Sequence, residues 1–446
     1  MKITFLGAGS TVFAKNLLGD CMLTPALQSC EIALYDIDAK RLEESCAVIN
    51  ALNKNINQNR ASVKTYLGAE NRKDALRSAD FVVNAIQVGG YEPCTVTDFE
   101  IPKKFGLRQT IGDTLGIGGI MRALRTIPVM EDFARDIEEV CPDAWFLNYT
   151  NPMSILTGYM QRYTGVKTVG LCHSWQACSH TLLKCLDMLE KADGRRDMIA
   201  GINHMAWLLK IEDQDGHDLY PEIKKRAKEK NQTEKHWDMV RYDYMEKLGY
   251  YCTESSEHNA EYSPFYIKSK YPELIDRYNI PLDEYPRRCT EQIEKWKKQR
   301  DGLVNNSELA HEKTHEYAAY ILEALSTGKG YVNDKPIVIG GNVLNTGGLI
   351  ENLPHDACVE VPCVVNCSGI HPVRVGKLPV QLAAMNQCHI NVHLLTIEAA
   401  YTLKKEHIYH AAMLDPHTAA ELSVDDIRLM VDELIDAHGN WLPKYV

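Results

Sequence analysis

The stretch KITFLGAGS, residues 2–10, constrains this chain more than any other. An apolar run from Ile3 to Leu6 enters Gly7-Ala8-Gly9-Ser10, and a helical pattern follows from about Thr11 to Leu23. Glycines at such a turn let backbone N–H groups approach a pyrophosphate seated at the positive end of the helix. Val12 stands where the usual fingerprint has its third glycine, so by itself the turn is equally a bare strand–turn–helix. The next strand adds weight. EIALYDID reaches Asp36, where a carboxylate accepts hydrogen bonds from an adenosine ribose and disfavours a 2′-phosphate, which selects NAD over NADP. Asp36 is otherwise a turn or N-cap residue, and Asp38 serves the ribose role as well.

Further strands are expected at SVKTYLG, at Phe81–Val83, at AWFLNYTNPM and at KTVGLCHS. Strands alternating with helices argue for an open parallel sheet of the Rossmann type, like that of lactate and malate dehydrogenases. Ligands of such sheets bind beyond the carboxyl ends of the strands. That rule selects Asn84 and Gln87, then Asn148 and Asn151, then Cys172 and His173. Gly7, Gly9, Ser10 and Asp36 complete the candidate cofactor contacts. Between the fourth and fifth strands, glycines 112, 116, 118 and 119 predict a loop that approaches something closely. Arg122 and Arg125, three apart, share a helix face. Asp113 and Arg122 are candidate substrate or cofactor contacts, or else a turn and a solvated face.

The rest of the 446 residues reads as a mixed α+β domain, with a division at 1–175 and 176–446. GGNVLNTGGLIENLP and ACVEVPCVVNCSGIHPV predict a small antiparallel element beside the sheet. PVQLAAMNQCHINVHLLTIEAAYTLKK predicts a long amphipathic helix whose His389 and His393 are better core residues than metal ligands. The net charge of −11 and the lack of a broad Lys/Arg cluster argue against nucleic acid and anionic membranes. The apolar runs fall far short of the ~20 residues that span a bilayer. Fourteen scattered cysteines with no CxxC pair read as buried free thiols of a cytoplasmic protein, including Cys141, Cys358 and Cys363.

VGLCHSWQ and AGINHMAW pose the remaining question. Spacing alone makes Cys172 a buried thiol and His204 a hydrogen-bonded core histidine. Their positions favour more: Cys172 follows a strand at the ligand edge, His204 lies in a Gly/Asn-marked turn, and Asn151 offers an oxygen nearby. Two protein ligands leave positions open for substrate hydroxyls on a Lewis acid.

FLGAGSTVF, GGYEPCTVTDFE, GIMRALRTIP, LNYTNPM, GLCHS, GINHMA, TESSEHNAEY, LDEYPRRC, VEVPC and YHAAMLDPHTAAEL together resemble glycoside hydrolase family 4, in its melibiase-type α-galactosidase branch. The two-carboxylate scheme of most glycosidases does not apply to that NAD-dependent family. The resemblance implies NAD and Mn²⁺ (or another divalent metal) as cofactors, with the metal held by Cys172 and His204. It implies substrate contact by Asn151, a general acid at His173 and a C2 base at Tyr262, with Glu257 or His258 able to share that work. Arg287 or Arg288, in EYPRRC, would orient the substrate, bear on the base or form a surface ion pair. A small α-linked galactoside is the implied substrate, and a homodimer or homotetramer the implied assembly. An α-galacturonidase or α-glucosidase of the same family, a 2-hydroxyacid dehydrogenase and a non-catalytic sensor are the alternatives.

Overall fold

The computed structural model of the protein describes residues 1–314, 316–328, 331–332 and 335–446. β1 (Lys2–Leu6), β2 (Glu31–Asp36), β3 (Ser62–Leu67), β4 (Phe81–Asn84), β5 (Trp145–Asn148) and β6 (Lys167–Leu171) run parallel in the order β3-β2-β1-β4-β5-β6. That is the order of a doubly wound dinucleotide-binding sheet. β1 and β4 are buried along their whole length, as strands covered by helices on both faces must be. The helices Thr11–Leu23, Ala39–Asn57, Gly116–Val140 and Met153–Tyr163 are among those that cover them.

The second half extends this sheet. β7 (Arg196–Ile202), β8 (Met205–Glu212) and β9 (Tyr251–Cys252) form its far edge; β10 (Tyr331–Val332) and β11 (Lys335–Pro336) form a separate short ladder. β12 (Val338–Leu344) and β13 (Cys358–Asn366) join the two parts, and β14 (Gly369–Pro372) flanks β13. The sequence predicts these last strands as a small element beside the sheet, but β12 pairs antiparallel with β6 through Gly341 and Asn342. The outer edge of β6 would otherwise leave backbone donors and acceptors unpaired in the interior.

The helix Val380–Thr402 is the core helix expected of its stretch, with His389 and His393 buried. Its buried arc is wide: Leu382, Asn386, His389, Ile390, His393 and Ile397 line one face, and Ala383, Val392 and Ala399 at its flanks are buried too. His389 Nε2 donates to the Tyr262 carbonyl at 2.8 Å, and Asn386 Nδ2 donates to the Met205 carbonyl at 2.8 Å. It is a central core helix. The glycines of the 112–119 stretch do permit close approach, but to the chain's own backbone. A β-carbon on Gly118 would stand 2.2 Å from the Gly112 carbonyl oxygen, so the first turn of helix Gly116–Val140 packs directly on the loop before it.

All fourteen cysteines are free, with Cys141, Cys358 and Cys363 buried. No helix among the described residues is long and apolar enough to cross a membrane.

One buried ionic cluster ties the C-terminal helix Val424–His438 to the helices Val96–Lys104 and Gly116–Val140. Arg125 bonds both oxygens of Asp98 (3.2 and 2.7 Å) and the Val88 carbonyl (3.2 Å), and His438 Nε2 meets Asp98 Oδ1 at 2.8 Å. Asp98→Ala would leave the guanidinium charged, buried and unpaired. The expected loss of stability is about 3–5 kcal/mol, read from the denaturant midpoint. A loss below ~1 kcal/mol would show that the cluster contributes little beyond its packing.

Candidate active site

The cofactor end begins at β1. Gly7 and Ala8 both donate their N–H to the Tyr35 carbonyl at 3.0 Å, and Gly7 takes φ +84°. A β-carbon there would stand 2.7 Å from the Ala85 carbonyl oxygen, so only glycine fits. The helix Thr11–Leu23 starts with no side-chain cap, which leaves its first N–H groups for an anion. Asp36 Oδ2 accepts from Gly9 N at 2.6 Å and Oδ1 from Asp38 N at 2.9 Å. Asp38, not Asp36, caps the helix Ala39–Asn57. Val12, where a third glycine would stand, is 44% exposed and meets no crowding that would demand glycine.

Asn84 ends β4 fully buried. Its Nδ2 donates to Asn148 Oδ1 (2.9 Å) and Thr150 Oγ1 (3.2 Å), while its own Oδ1 has no partner among the described residues. Ser10 and Gln87 are exposed at the same end of the sheet. A glycine cradle, a carboxylate at the ribose position and an unmatched amide oxygen fit a nicotinamide dinucleotide.

Beyond β6 lies the second centre. Cys172 follows β6 directly, with Sγ 3.1 Å from Ser174 Oγ. His204 occupies the two-residue turn between β7 and β8, buried and at φ +65°. Its Nδ1 lies 3.0 Å from the Tyr262 hydroxyl and its Nε2 3.4 Å from Glu254 Oε2. Cys172, His204 and Glu254 each offer a ligand atom within 4.8 Å of the others, and Asp113, His204 and His258 form an overlapping group. Burial opposes charge on His204, yet Glu254 and Cys172 outweigh it and push it up to about 10. Burial likewise disfavours the Glu254 carboxylate, but His204, His258 and Arg241 hold it at about 2. Burial lowers His258, whose Nδ1 lies 2.9 Å from Ser255 Oγ. Thiol, imidazole and carboxylate together make a mixed donor set that fits a divalent transition metal.

His173 and Tyr262 flank this centre. His173 Nε2 lies 2.8 Å from both oxygens of Glu316, whose hydrogen bond raises the imidazole pKa against the opposing effect of burial. Phe13, Tyr149 and Tyr317 surround the ring. Tyr262 is buried, and burial pushes its phenol well above the usual range, with Glu261, Asp113 and Glu254 adding to the effect. Glu261 accepts the backbone N–H groups of Thr110 (2.7 Å), Ile111 (3.2 Å) and Gly112 (2.8 Å), which latches the Asp113 loop to the helix Ser256–Glu261. Burial pushes this carboxyl up to about 7 against those three donors.

The structure therefore brings Cys172, His204, Tyr262, Asp113 and His258 together. Asn151 follows β5 with its Oδ1 buried and unpartnered among the described residues. Arg122 is buried, with Nη1 3.3 Å from the Tyr285 hydroxyl. Arg287 stands apart: its exposed guanidinium is bound to Glu284 and Glu291. Arg288 reaches Glu257 at 3.2 Å. Sequence reasoning misses Glu254, Glu261 and Glu316. Glu254 and Glu261 lie within TESSEHNAEY, but Glu316 is 143 residues from His173 and no spacing signals it.

The description "Family 4 glycosyl hydrolase" matches residues 2–188, and "Family 4 glycosyl hydrolase C-terminal domain" matches residues 199–418. The alpha-galactosidase of Bacillus subtilis (strain 168) is 61% identical over 444 residues, covering 100% of this chain and 99% of its own. The alpha-galactosidase of Rhizobium meliloti (strain 1021) is 33% identical over 454 residues, covering 100% and 89%. A solved 6-phospho-alpha-glucosidase from gut microorganisms, in complex with NAD and Mn²⁺, shares the fold. Its TM-score is 0.80 at 22% identity, over 100% of this chain and 99% of that one.

Removing the Asp36 carboxylate tests the cofactor end. Asp36→Ala should weaken NAD⁺ binding by roughly 10- to 100-fold, the worth of a charged hydrogen bond, by titration calorimetry. Unchanged affinity would remove Asp36 from the ribose contact.

Proposed function

Because the chain belongs to family 4 of the glycosyl hydrolases, we propose that it hydrolyses α-linked galactosides of the melibiose and raffinose type. The route is redox-neutral oxidation, elimination, addition and reduction with NAD⁺ and Mn²⁺ or another divalent metal. The observation that carries it is the Cys172–His204–Glu254 cluster beside Tyr262, at the same sheet edge as the dinucleotide turn. Cys172 and His204 would hold the metal; Gly7, Gly9, Ser10, Asp36, Asn84 and Gln87 would bind the dinucleotide. When bound, these groups supply hydride acceptance and return at C3 of the sugar and polarise its oxygen, which acidifies the C2 proton.

The protein's own side chains move the protons. Tyr262 is the base at C2. It is preferred to Glu257 and His258 because its oxygen bonds His204 directly, whereas Arg288 engages Glu257 and Ser255 engages His258. Were Nε2 to hold the metal, His204 would carry its proton on Nδ1 and donate it to the Tyr262 oxygen, which would favour the phenolate that burial alone disfavours. His173 is the acid. Glu316 keeps its proton in place, and from the end of β6 it delivers that proton to the leaving oxygen. Asn151 and Asp113 contact the sugar, and water completes the hydrolysis. Arg287, tied to Glu284 and Glu291, fits a place in an ion-pair network better than direct contact with the sugar.

The same reading divides the chain into a dinucleotide-binding part, 1–175, and a substrate and assembly part, 176–446. It includes a homodimer or homotetramer, as the family resemblance implies, in the cytoplasm, in keeping with the free thiols.

Purified protein should release nitrophenol from its α-galactoside only when NAD⁺, Mn²⁺ and a thiol reductant are all present, without net NADH. NADH accumulating with a hydroxy acid, and no nitrophenol, would favour the dehydrogenase reading instead. Turnover in D₂O should place deuterium at C2 of the released galactose. Tyr262→Phe should lower kcat by about 10²–10⁴-fold while retaining NAD⁺ and Mn²⁺ binding. A kcat near that of the unmutated protein would place the base elsewhere.

A further inference from the structure

We infer that Glu254 is a third protein ligand of the metal, completing a Cys172–His204–Glu254 triad. This rests on the reading of Cys172 and His204 as metal ligands.

The ligand atoms of the three residues lie within 4.8 Å of one another, and Glu254 Oε2 is 3.4 Å from His204 Nε2. Ligands bonded to one ion at about 2.0–2.3 Å stand roughly 3–4.5 Å apart, so the three atoms already have the spacing of a coordination sphere. The free nitrogen of His204 is the one turned to Glu254, since Nδ1 is engaged by Tyr262.

The backbone supports the same reading. His204 at φ +65° and Glu254 at φ +66° both sit in the left-handed region, which costs a non-glycine residue roughly 1–2 kcal/mol. The surroundings hold Glu254 there. Thr253 N donates to the Ala206 carbonyl at 2.8 Å, and Thr253 Oγ1 accepts from Ala206 N at 3.1 Å, which clamps the loop to β8. On its other side Ser256 Oγ donates to Asp238 Oδ1 at 2.9 Å and accepts from Arg241 N at 3.0 Å. Both ends of the loop are thus anchored in the core, and the carboxylate between them is aimed at His204.

Charge points the same way. Among the described residues the ion pairs of Glu254 are with two histidines, His204 and His258, and with neither lysine nor arginine. A divalent cation bound to one thiolate and one neutral imidazole keeps a net charge of +1 in a largely buried site. The Glu254 carboxylate cancels it. Asp113 is placed differently, accepting from Thr114 Oγ1 at 2.7 Å and facing His258.

The test is Mn²⁺ binding to the full-length, metal-stripped protein with NAD⁺ and reductant present, followed by loss of the free Mn²⁺ electron-paramagnetic signal. Glu254→Gln should bind Mn²⁺ at least ~10-fold more weakly than the unmutated protein. Glu254→Asp, which keeps a carboxylate, should bind more tightly than Glu254→Gln. Loading with Co²⁺ gives an independent readout. The thiolate-to-cobalt band should persist in Glu254→Gln, showing an intact Cys172 ligand, while the ligand-field bands shift. Unmutated Mn²⁺ affinity in Glu254→Gln, alongside a weakened Cys172→Ser, would overturn the third ligand and leave the other two standing. Cys172→Ser binding as tightly as the unmutated protein would instead overturn the metal centre itself.

Discussion

A single buried carboxyl group, Glu360 on β13, joins the two halves of the site. Its Oε1 accepts from Asn342 Nδ2 at 3.0 Å and from Asn203 Nδ2 at 3.1 Å. Asn342 lies on β12, beside Gly170 of β6, and Asn203 immediately precedes His204. Glu360 itself stands opposite Gly201 of β7. Cys172 at the end of β6 and His204 in the β7–β8 turn therefore meet across a short, fully buried polar chain. Burial pushes the Glu360 carboxyl pKa up, against the two amide donors that favour its charge. The network is only partly satisfied, since Glu360 Oε2, Asn203 Oδ1 and Asn342 Oδ1 have no partner among the described residues, so it carries a desolvation cost along with the arrangement it specifies.

Burial sets the proton chemistry as well. Tyr262, the proposed base, is buried away from water, and burial alone keeps its phenol protonated. On the proposed reading, the hydrogen bond to His204 would link the base to a metal ligand, and the Tyr262 carbonyl is fixed by His389 from the central core helix. His173 has the opposite environment. It is about half exposed, and Glu316 stabilises its charged form. In the proposed mechanism, one group that must lose a proton and one that must keep it would thus be separated by their surroundings, as an acid and a base working on the same sugar require.

Much of the dinucleotide half is legible in the residues because its signals are local. β1, Gly7 and the helix after it follow from hydrophobic run, turn and helical period within a single stretch. Asp36 is legible at the end of β2, although only the structure assigns the helix cap to Asp38. The glycines at 112–119 signal a close approach without naming its partner, which is their own preceding loop. The core helix Val380–Thr402 looks amphipathic in sequence because its scattered Asn and His residues are polar. In the fold Asn386 and His389 are consumed by buried carbonyls, while His393 is buried with neither ring nitrogen partnered among the described residues. Arg287 looks available to a substrate because its two glutamates lie three and four residues away on the same helix, a pairing that spacing permits but does not announce.

The sequence by itself determined the parallel sheet, the strand ends at which ligands gather and the residue types offered there, since period, apolar run and turn chemistry act over a few residues. Tertiary structure alone decided which of those residues meet. Cys172, His204 and Glu254 come from three separate loops. Their approach depends on β12 closing the edge of β6 and on two non-glycine residues held at positive φ by contacts made far along the chain. Register and strain of that kind are properties of the assembled core, and no local pattern carries them.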